Sequence, residues 1–139
     1  MTIPPGNFSW RARYATNIPT IDAHHQGMFK ILRLLHEATS DGRIEVEMEV
    51  ILAHLEQHSL AHFEAEEALM RRTEFPGIEP HAQDHSRFLV QLRRLKARQE
   101  LGDEGVPSEV LAVLRDWLHD HILLQDMVFA EHFRNQSKA

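Results

Sequence analysis

His62 and Glu66 stand four residues apart in the stretch His62-Phe63-Glu64-Ala65-Glu66. On a helix that spacing points both side chains to one face. A neutral imidazole and a carboxylate converging on one spot are either two ligands of a metal ion or a buried hydrogen-bonded pair. His-x-x-x-Glu is common on ordinary helices, so its meaning depends on what other segments bring to the same height. His25, His81, His85, His121 and Asp126 are the residues that can do so. Eleven histidines in 139 residues is several times ordinary usage, and they are interior and spaced, unlike a terminal purification tag.

The segments that must position them read as four amphipathic helices. Pro19 and Thr20 open the first, with Thr20 as the expected cap, and its inward seam is Ile21, His25, Met28, Leu32, Leu35. Those alternating steps of four and three are the spacing of a bundle helix. It should stop near Ser40-Asp41-Gly42. The second runs from Ile44 to Arg72 with the seam Met48, Ile51, Leu55, His58, His62, Glu66, Leu69. Pro80 is expected to open the third, whose seam is His81, His85, Phe88, Leu92, Leu95. Ser108 is expected to cap the fourth, with Val110, Leu114, Trp117 and His121 inward and Leu124 and Val128 beyond. Residues 1–19 carry Pro4, Pro5, Gly6 and Pro19 and read as an arm that buries Phe8, Trp10 and Tyr14. Short loops between such helices predict an all-α, up-down-up-down antiparallel four-helix bundle over 20–136, preceded by the N-terminal arm.

Composition narrows the function classes. The length suits one domain, with 42% hydrophobic residues for one core. A net charge of -6 without a basic run argues against nucleic acid and anionic membranes as partners. The absence of cysteine excludes disulfides and thiolate-held metals or clusters. No signal-peptide pattern or membrane-length apolar run is present, so a cytoplasmic protein is expected. The helix faces show no self-complementary patch, and a monomer is the default.

Antiparallel connection then sets the heights, at about 1.5 Å of rise per residue. His25 lies near the start of helix one, and His81 and His85 near the start of helix three. His62 and Glu66 lie near the end of helix two, with His121 and Asp126 similarly placed in helix four. All seven should meet in one layer. Asp126 follows His121 by five residues, about 140° round an ideal helix, so it must reach sideways or sit on a helix irregularity. Without a cation, so many buried ionisable groups would need an elaborate hydrogen-bond network to offset desolvation. Seven ligands exceed what one zinc takes. Mixed imidazole and carboxylate ligation of two ions fits iron best, although manganese or zinc could enter. There is no His-Glu-x-x-His of zinc peptidases and no Glu-x-x-His of ferritin-like sites.

These residues resemble the hemerythrin family, specifically its single-domain bacterial members. Trp10 and Ile21-Asp22-Ala23-His24-His25 are similar to the family's first-helix pattern. His62-Phe63-x-x-Glu66-Glu67-x-x-Met70 matches the second, and His81-x-x-x-His85-x-x-Phe88 the third. Trp117-Leu118-x-x-His121-Ile122-x-x-x-Asp126 matches the fourth. The resemblance implies two iron ions bridged by Glu66, Asp126 and an oxo or hydroxo group. His81, His85 and His121 would fill one iron, while His25 and His62 would leave one position open on the other. It implies reversible binding of molecular oxygen for storage, delivery or local sensing, with oxygen held end-on as hydroperoxide. An oxygen-consuming enzyme is the candidate recipient. The alternative from the same metals is a di-iron enzyme, a peroxidase, oxidase or nitric oxide reductase. Matching positions place Met28, Phe63, Trp117, Leu118 and Ile122 around the oxygen.

Two positions depart from the family. Met28 stands where leucine is expected, giving a softer, oxidisable wall. His58 stands where an aromatic residue is usual, and three roles are open to it: a core histidine bonded to a backbone carbonyl or side chain, a partner tuning Glu66 or a ligand histidine, or an additional ligand. Glu64 and Glu67 lie off the seam and read as solvated. His24, His36, His54, His119 and His132 read as surface or rim residues.

Overall fold

The structure, a computed structural model, describes residues 9–137. A short 3₁₀ turn (Ala12–Tyr14) leads into α1 (Pro19–Ser40), α2 (Ile44–Arg72) and α3 (Ile78–Glu100). The fourth rod is composite. It begins as α4 (Val106–Trp117), passes through a π-helical segment (Leu118–Gln125) and ends as α5 (Asp126–Ser137). Trp117, Leu118 and Asp126 all keep right-handed helical backbone angles, so the rod runs through both junctions. α1 and α3 each pack against α2 and α4, which closes the four-helix bundle expected from the seams.

Helix ends show where local chemistry departs from the expected caps. Thr20 does not cap α1, because Pro19 already occupies its first turn and the preceding Ile18 has no capping side chain. Asp22 does the work in reverse. Its carboxylate accepts from the Thr16 backbone N–H at 2.7 Å, the Thr16 hydroxyl at 2.7 Å and the Asn17 N–H at 3.1 Å, tying the incoming chain to the first turn. Pro80 lies within the first turn of α3 rather than opening it, since the helix starts at Ile78. Ser108 likewise lies inside α4, where Pro107 sits in the first turn and needs no N–H acceptor. Gly42 and Gly102 end α1 and α3 with φ of 73° and 82°, the left-handed region that glycine enters without penalty.

The core is layered along the bundle. A large apolar cluster includes Met28, Leu32, Leu55, Phe63, Phe88, Leu114 and Ile122. A smaller one joins Ile18, Ile21, Met70 and Phe129 near one end. Helical spacing puts His25 between Ile21 and Met28, Glu66 between Phe63 and Met70, and Asp126 between Ile122 and Phe129. The polar layer is therefore sealed by apolar side chains on both sides. Among the described residues, the buried polar side chains are Thr16, Ser59 and the seven candidate ligands.

Two seam assignments are corrected. Ser59, not His58, takes the inward place on α2, and His58 is half-buried at the α1 edge. Leu124 and Val128 are 54% and 61% exposed; the inward residues beyond His121 are Ile122, Asp126, Phe129 and Ala130. The π segment causes the second correction, since its wider turn absorbs an extra residue and shifts everything after it in phase. Trp10 and Tyr14 pack as expected, with Tyr14 buried and Trp10 edge-on to Phe29 at 5.8 Å. Phe8 and the remainder of 1–8 lie outside the described residues. Among the described residues, no helix is long and apolar enough to cross a membrane.

Candidate metal centre

α1 contributes His25, α2 His62 and Glu66, α3 His81 and His85, and the composite rod His121 and Asp126. The irregularity required by the five-residue step is the π segment. The Asp126 N–H bonds to the His121 carbonyl, an i→i+5 link that brings both side chains to the inward face.

The seven side chains form two groups that share Glu66: Glu66, His81, His85, His121, and His25, His62, Glu66, Asp126. In each group one ligand atom per residue lies within 4.8 Å of all the others. Both carboxylates divide their oxygens between the two sets of histidines. Glu66 Oε1 is 2.7 Å from His81 Nε2 and 3.2 Å from His85 Nε2, while Oε2 is 3.5 Å from His62 Nε2. Asp126 Oδ1 is 2.9 Å from His81 Nε2 and 3.2 Å from His121 Nε2, while Oδ2 is 2.9 Å from His25 Nε2.

Closeness and bonding come apart here, and the difference tests the fit to a cation. His25 Nε2 and Asp126 Oδ2 are near one another, yet neither atom is aligned for a hydrogen bond. Both ring nitrogens of His25, Nε2 of His62, Oε2 of Glu66 and both oxygens of Asp126 are buried without a hydrogen-bond partner. Leaving so many buried polar atoms unpaired is costly. The unpaired atoms belong mainly to the group of His25, His62, Glu66 and Asp126, whereas in the other group His81 Nε2 bonds to Glu66 Oε1 at 2.7 Å and His85 Nε2 lies 2.9 Å from His121 Nε2. Lone pairs left to converge on a common point are what a divalent cation satisfies. Imidazole with carboxylate is a donor set for transition ions such as iron, manganese and zinc.

Proton affinities follow the same charge pattern. Burial and the neighbouring Asp126 work to raise the Glu66 carboxyl, but the adjacent imidazoles of His121, His81 and His85, with His81 hydrogen-bonded to it, hold it well below the usual range. Burial is likewise outweighed at Asp126 by His121, His25 and His81. Burial also opposes the charged form of His121, but Asp126 and Glu66 overcome it and raise this imidazole to about 9. His81 is raised against its burial by the same carboxylates. His62 goes the other way, lowered to about 3 chiefly by desolvation. Without a metal, protons on one side of the layer balance the two carboxylates; a cation would replace them.

The surroundings add contacts that the seams did not reveal. His85 Nδ1 lies 2.7 Å from Glu67 Oε2, so Glu67 is not merely a solvated residue. His62 Nδ1 lies 3.1 Å from His24 Nδ1, and His24 is half-buried. Each newcomer directly follows or precedes a ligand in sequence, about 100° round the helix, where it can reach the outer nitrogen of a ring from the facing helix. His58 Nε2 donates to the His24 carbonyl at 2.8 Å and belongs to neither ligand group. Phe63 stacks on His85 and Trp117 on His121, each pair with ring centres 4.0 Å apart. Met28, Leu118 and Ile122 are fully buried, and the Ser59 hydroxyl approaches Met28 Sδ at 3.9 Å. His54 and Glu64 are exposed. His119 bonds to Asp120, His132 donates to the Thr73 carbonyl, and His36 is half-buried.

Residues 16–133 match the family model described as the hemerythrin HHE cation binding domain. The chain belongs to the hemerythrin family. A bacteriohemerythrin from Pseudomonas paraeruginosa is 27% identical over 126 residues, covering 91% of this chain and 81% of that protein. A myohemerythrin from Riftia pachyptila is 29% identical over 118 residues, covering 85% and 87%. The crystal structure of a hemerythrin mutant superimposes with a TM-score of 0.82 at 22% identity, over 96% of this chain and 98% of that one. That likeness establishes the four-helix fold of this hemerythrin. The family model's cation-binding description agrees with a polar layer whose residues form two ligand-type groups.

Proposed function

We propose that this hemerythrin binds molecular oxygen reversibly at a pair of iron ions, for storage, delivery or local sensing. The observation that carries the reading is the unequal sharing of the layer: two groups meet at Glu66, one with three histidines and the other with two. Glu66 and Asp126 each turn one oxygen toward either set of histidines, as bridging carboxylates would. His81, His85 and His121 would then fill one ion, and His25 and His62 would leave a position free on its neighbour. Bound as a ferrous pair, the metals would supply the electrons that hold oxygen and take them back on its release.

The protein's part is to position and to exclude. Apolar clusters on both sides of the layer keep water away, which suits a ligand that must leave unchanged. Among the described residues, no fully buried acid stands outside the candidate ligands, which suits a carrier better than an oxidase or peroxidase built around a buried acid beside the oxygen. Met28, Phe63, Trp117, Leu118 and Ile122 are the proposed walls of the oxygen pocket. The test is spectroscopic. Anaerobically reduced, iron-loaded protein mixed with air should develop a lasting charge-transfer band that fades on degassing and returns on re-exposure. Rapid bleaching with turnover of a peroxide or nitric oxide substrate would instead favour the enzyme.

A further inference from the structure

We propose that His24 is the positioning residue for His62: its Nδ1 accepts the Nδ1–H of His62 and so fixes the tautomer that leaves His62 Nε2 bare toward the cation. The inference rests on the two-metal reading above. Two imidazole nitrogens 3.1 Å apart share one proton between them. His62 Nε2 faces the centre, 3.5 Å from Glu66 Oε2 and without a hydrogen bond. A nitrogen that ligates a metal carries no proton, so the neutral ring keeps its proton on Nδ1 and directs it at His24. His24 Nδ1 is then the acceptor, and the proton of the His24 ring resides on Nε2.

The acceptor is held from behind. His58 Nε2–H donates to the His24 carbonyl at 2.8 Å, pinning this point of α1 to α2. The His58 ring fits there because residue 27 is glycine; a Cβ at Gly27 would lie 2.5 Å from its Cε1 atom. The His24 ring meets the His62 ring edge to face at 84° with centres 5.2 Å apart, and meets the His58 ring edge to face at 83° with centres 5.9 Å apart.

The partner's chemistry also differs across the layer. His85 gives its outer nitrogen to a carboxylate, Glu67, at 2.7 Å. A carboxylate partner draws the N–H proton toward itself and makes the ring a stronger metal donor, whereas a neutral imidazole orients the ring with less electron push. Residue 24, together with the smaller number of histidines in that group, makes the cation beside His25 and His62 the more weakly held of the two.

Cobalt(II) titration of the stripped full-length protein, followed by its visible absorption, tests this with no need for oxygen. Two steps are expected in the wild type. His24→Leu should weaken the second step about 10–100-fold and leave the first unchanged. His24→Glu should tighten the second step beyond the wild type, a rescue that loss of packing would not give. In zinc-loaded wild type, nitrogen–proton correlation spectra should show the His62 proton on Nδ1, a readout that needs no variant to fold. A bare Nδ1 on His62, a leucine variant with wild-type affinity, or equal weakening of both steps would overturn the role of His24. If the zinc and cobalt results hold but the iron protein fails to bind oxygen reversibly, the oxygen reading falls and the role of His24 stands.

Discussion

Trp117 is the proposed wall residue on which the lifetime of bound oxygen should depend most directly. One face of its indole lies on His121 at 4.0 Å, and the residue also lines a surface cleft of about 250 Å³ with Asp84, Arg87, Asp116 and Asp120. The ring therefore stands between acid-lined solvent and a ligand histidine. Trp117→Ala should hasten decay of the oxygenated form roughly tenfold, which corresponds to about 1.4 kcal/mol in the barrier. Trp117→Phe should stay closer to the wild type, because it keeps an apolar ring in place. Stopped-flow decay of the charge-transfer band measures both, and an alanine variant as long-lived as the wild type would remove Trp117 from the pocket wall. Six members of the layer were legible in the sequence because each falls on an apolar seam, whereas Asp126 lies off the seam of a regular helix and called for an irregularity or a sideways reach. His24 and Glu67 were not legible, because hydrophobic periodicity is blind to a residue that bonds the outer nitrogen of a ring on another helix.

The contact of α1 with α2 carries a prediction of its own. Alanine in place of a glycine inside a helix ordinarily stabilises by about 1 kcal/mol. At Gly27 the new Cβ would press on the His58 ring, 2.5 Å from Cε1 and 2.9 Å from Nε2, and threaten its bond to the His24 carbonyl. Gly27→Ala should therefore give no gain, or a loss of about 1 kcal/mol from the hydrogen bond. In a His58→Ala background the ordinary gain should reappear. Urea unfolding of the four proteins decides it; a full gain in the single variant would show that His58 does not occupy that space. At this scale the approximate limits of α2 were readable, since its seam is long and its ends are marked. The π segment was foreseeable only as an irregularity somewhere between His121 and Asp126. Its phase shift depends on which backbone bonds are given up to bring Asp126 inward, and side-chain periodicity does not encode that choice, so Leu124 and Val128 were misplaced.

Across the whole molecule, the layer makes stability depend on pH in opposite senses on its two sides. His62 has a folded-state value near 3, below its unfolded 6.5, so the unfolded chain takes up a proton first as pH falls and the metal-free protein loses stability from about 6.5 downward. Glu66 and Asp126, depressed in the folded state, add a further loss once pH drops through the ordinary carboxylate range. His121 is raised to about 9, so its contribution is full below 6.5 and is lost as pH rises from 6.5 to 9. The metal-free protein should thus be most stable near neutrality. Metal requires unprotonated His121, so loading should abolish the alkaline decline and deepen the acid one. Thermal midpoints of stripped and loaded protein between pH 4 and 9 test this, and a stripped protein that gains stability steadily up to pH 9 would refute it. The overall architecture was the most legible level, because four seams and short loops leave little choice of packing.

One reversible oxygen site built on two unequal metal positions is what we propose for this protein. Oxygen uptake by anaerobically reduced protein of known iron content, read with an oxygen electrode and followed by degassing, tests it most directly. About two irons per chain are expected, one for each of the two ligand groups, with one oxygen bound per pair and recovered on degassing. Uptake that exceeds one per pair, or oxygen that does not return, would contradict it.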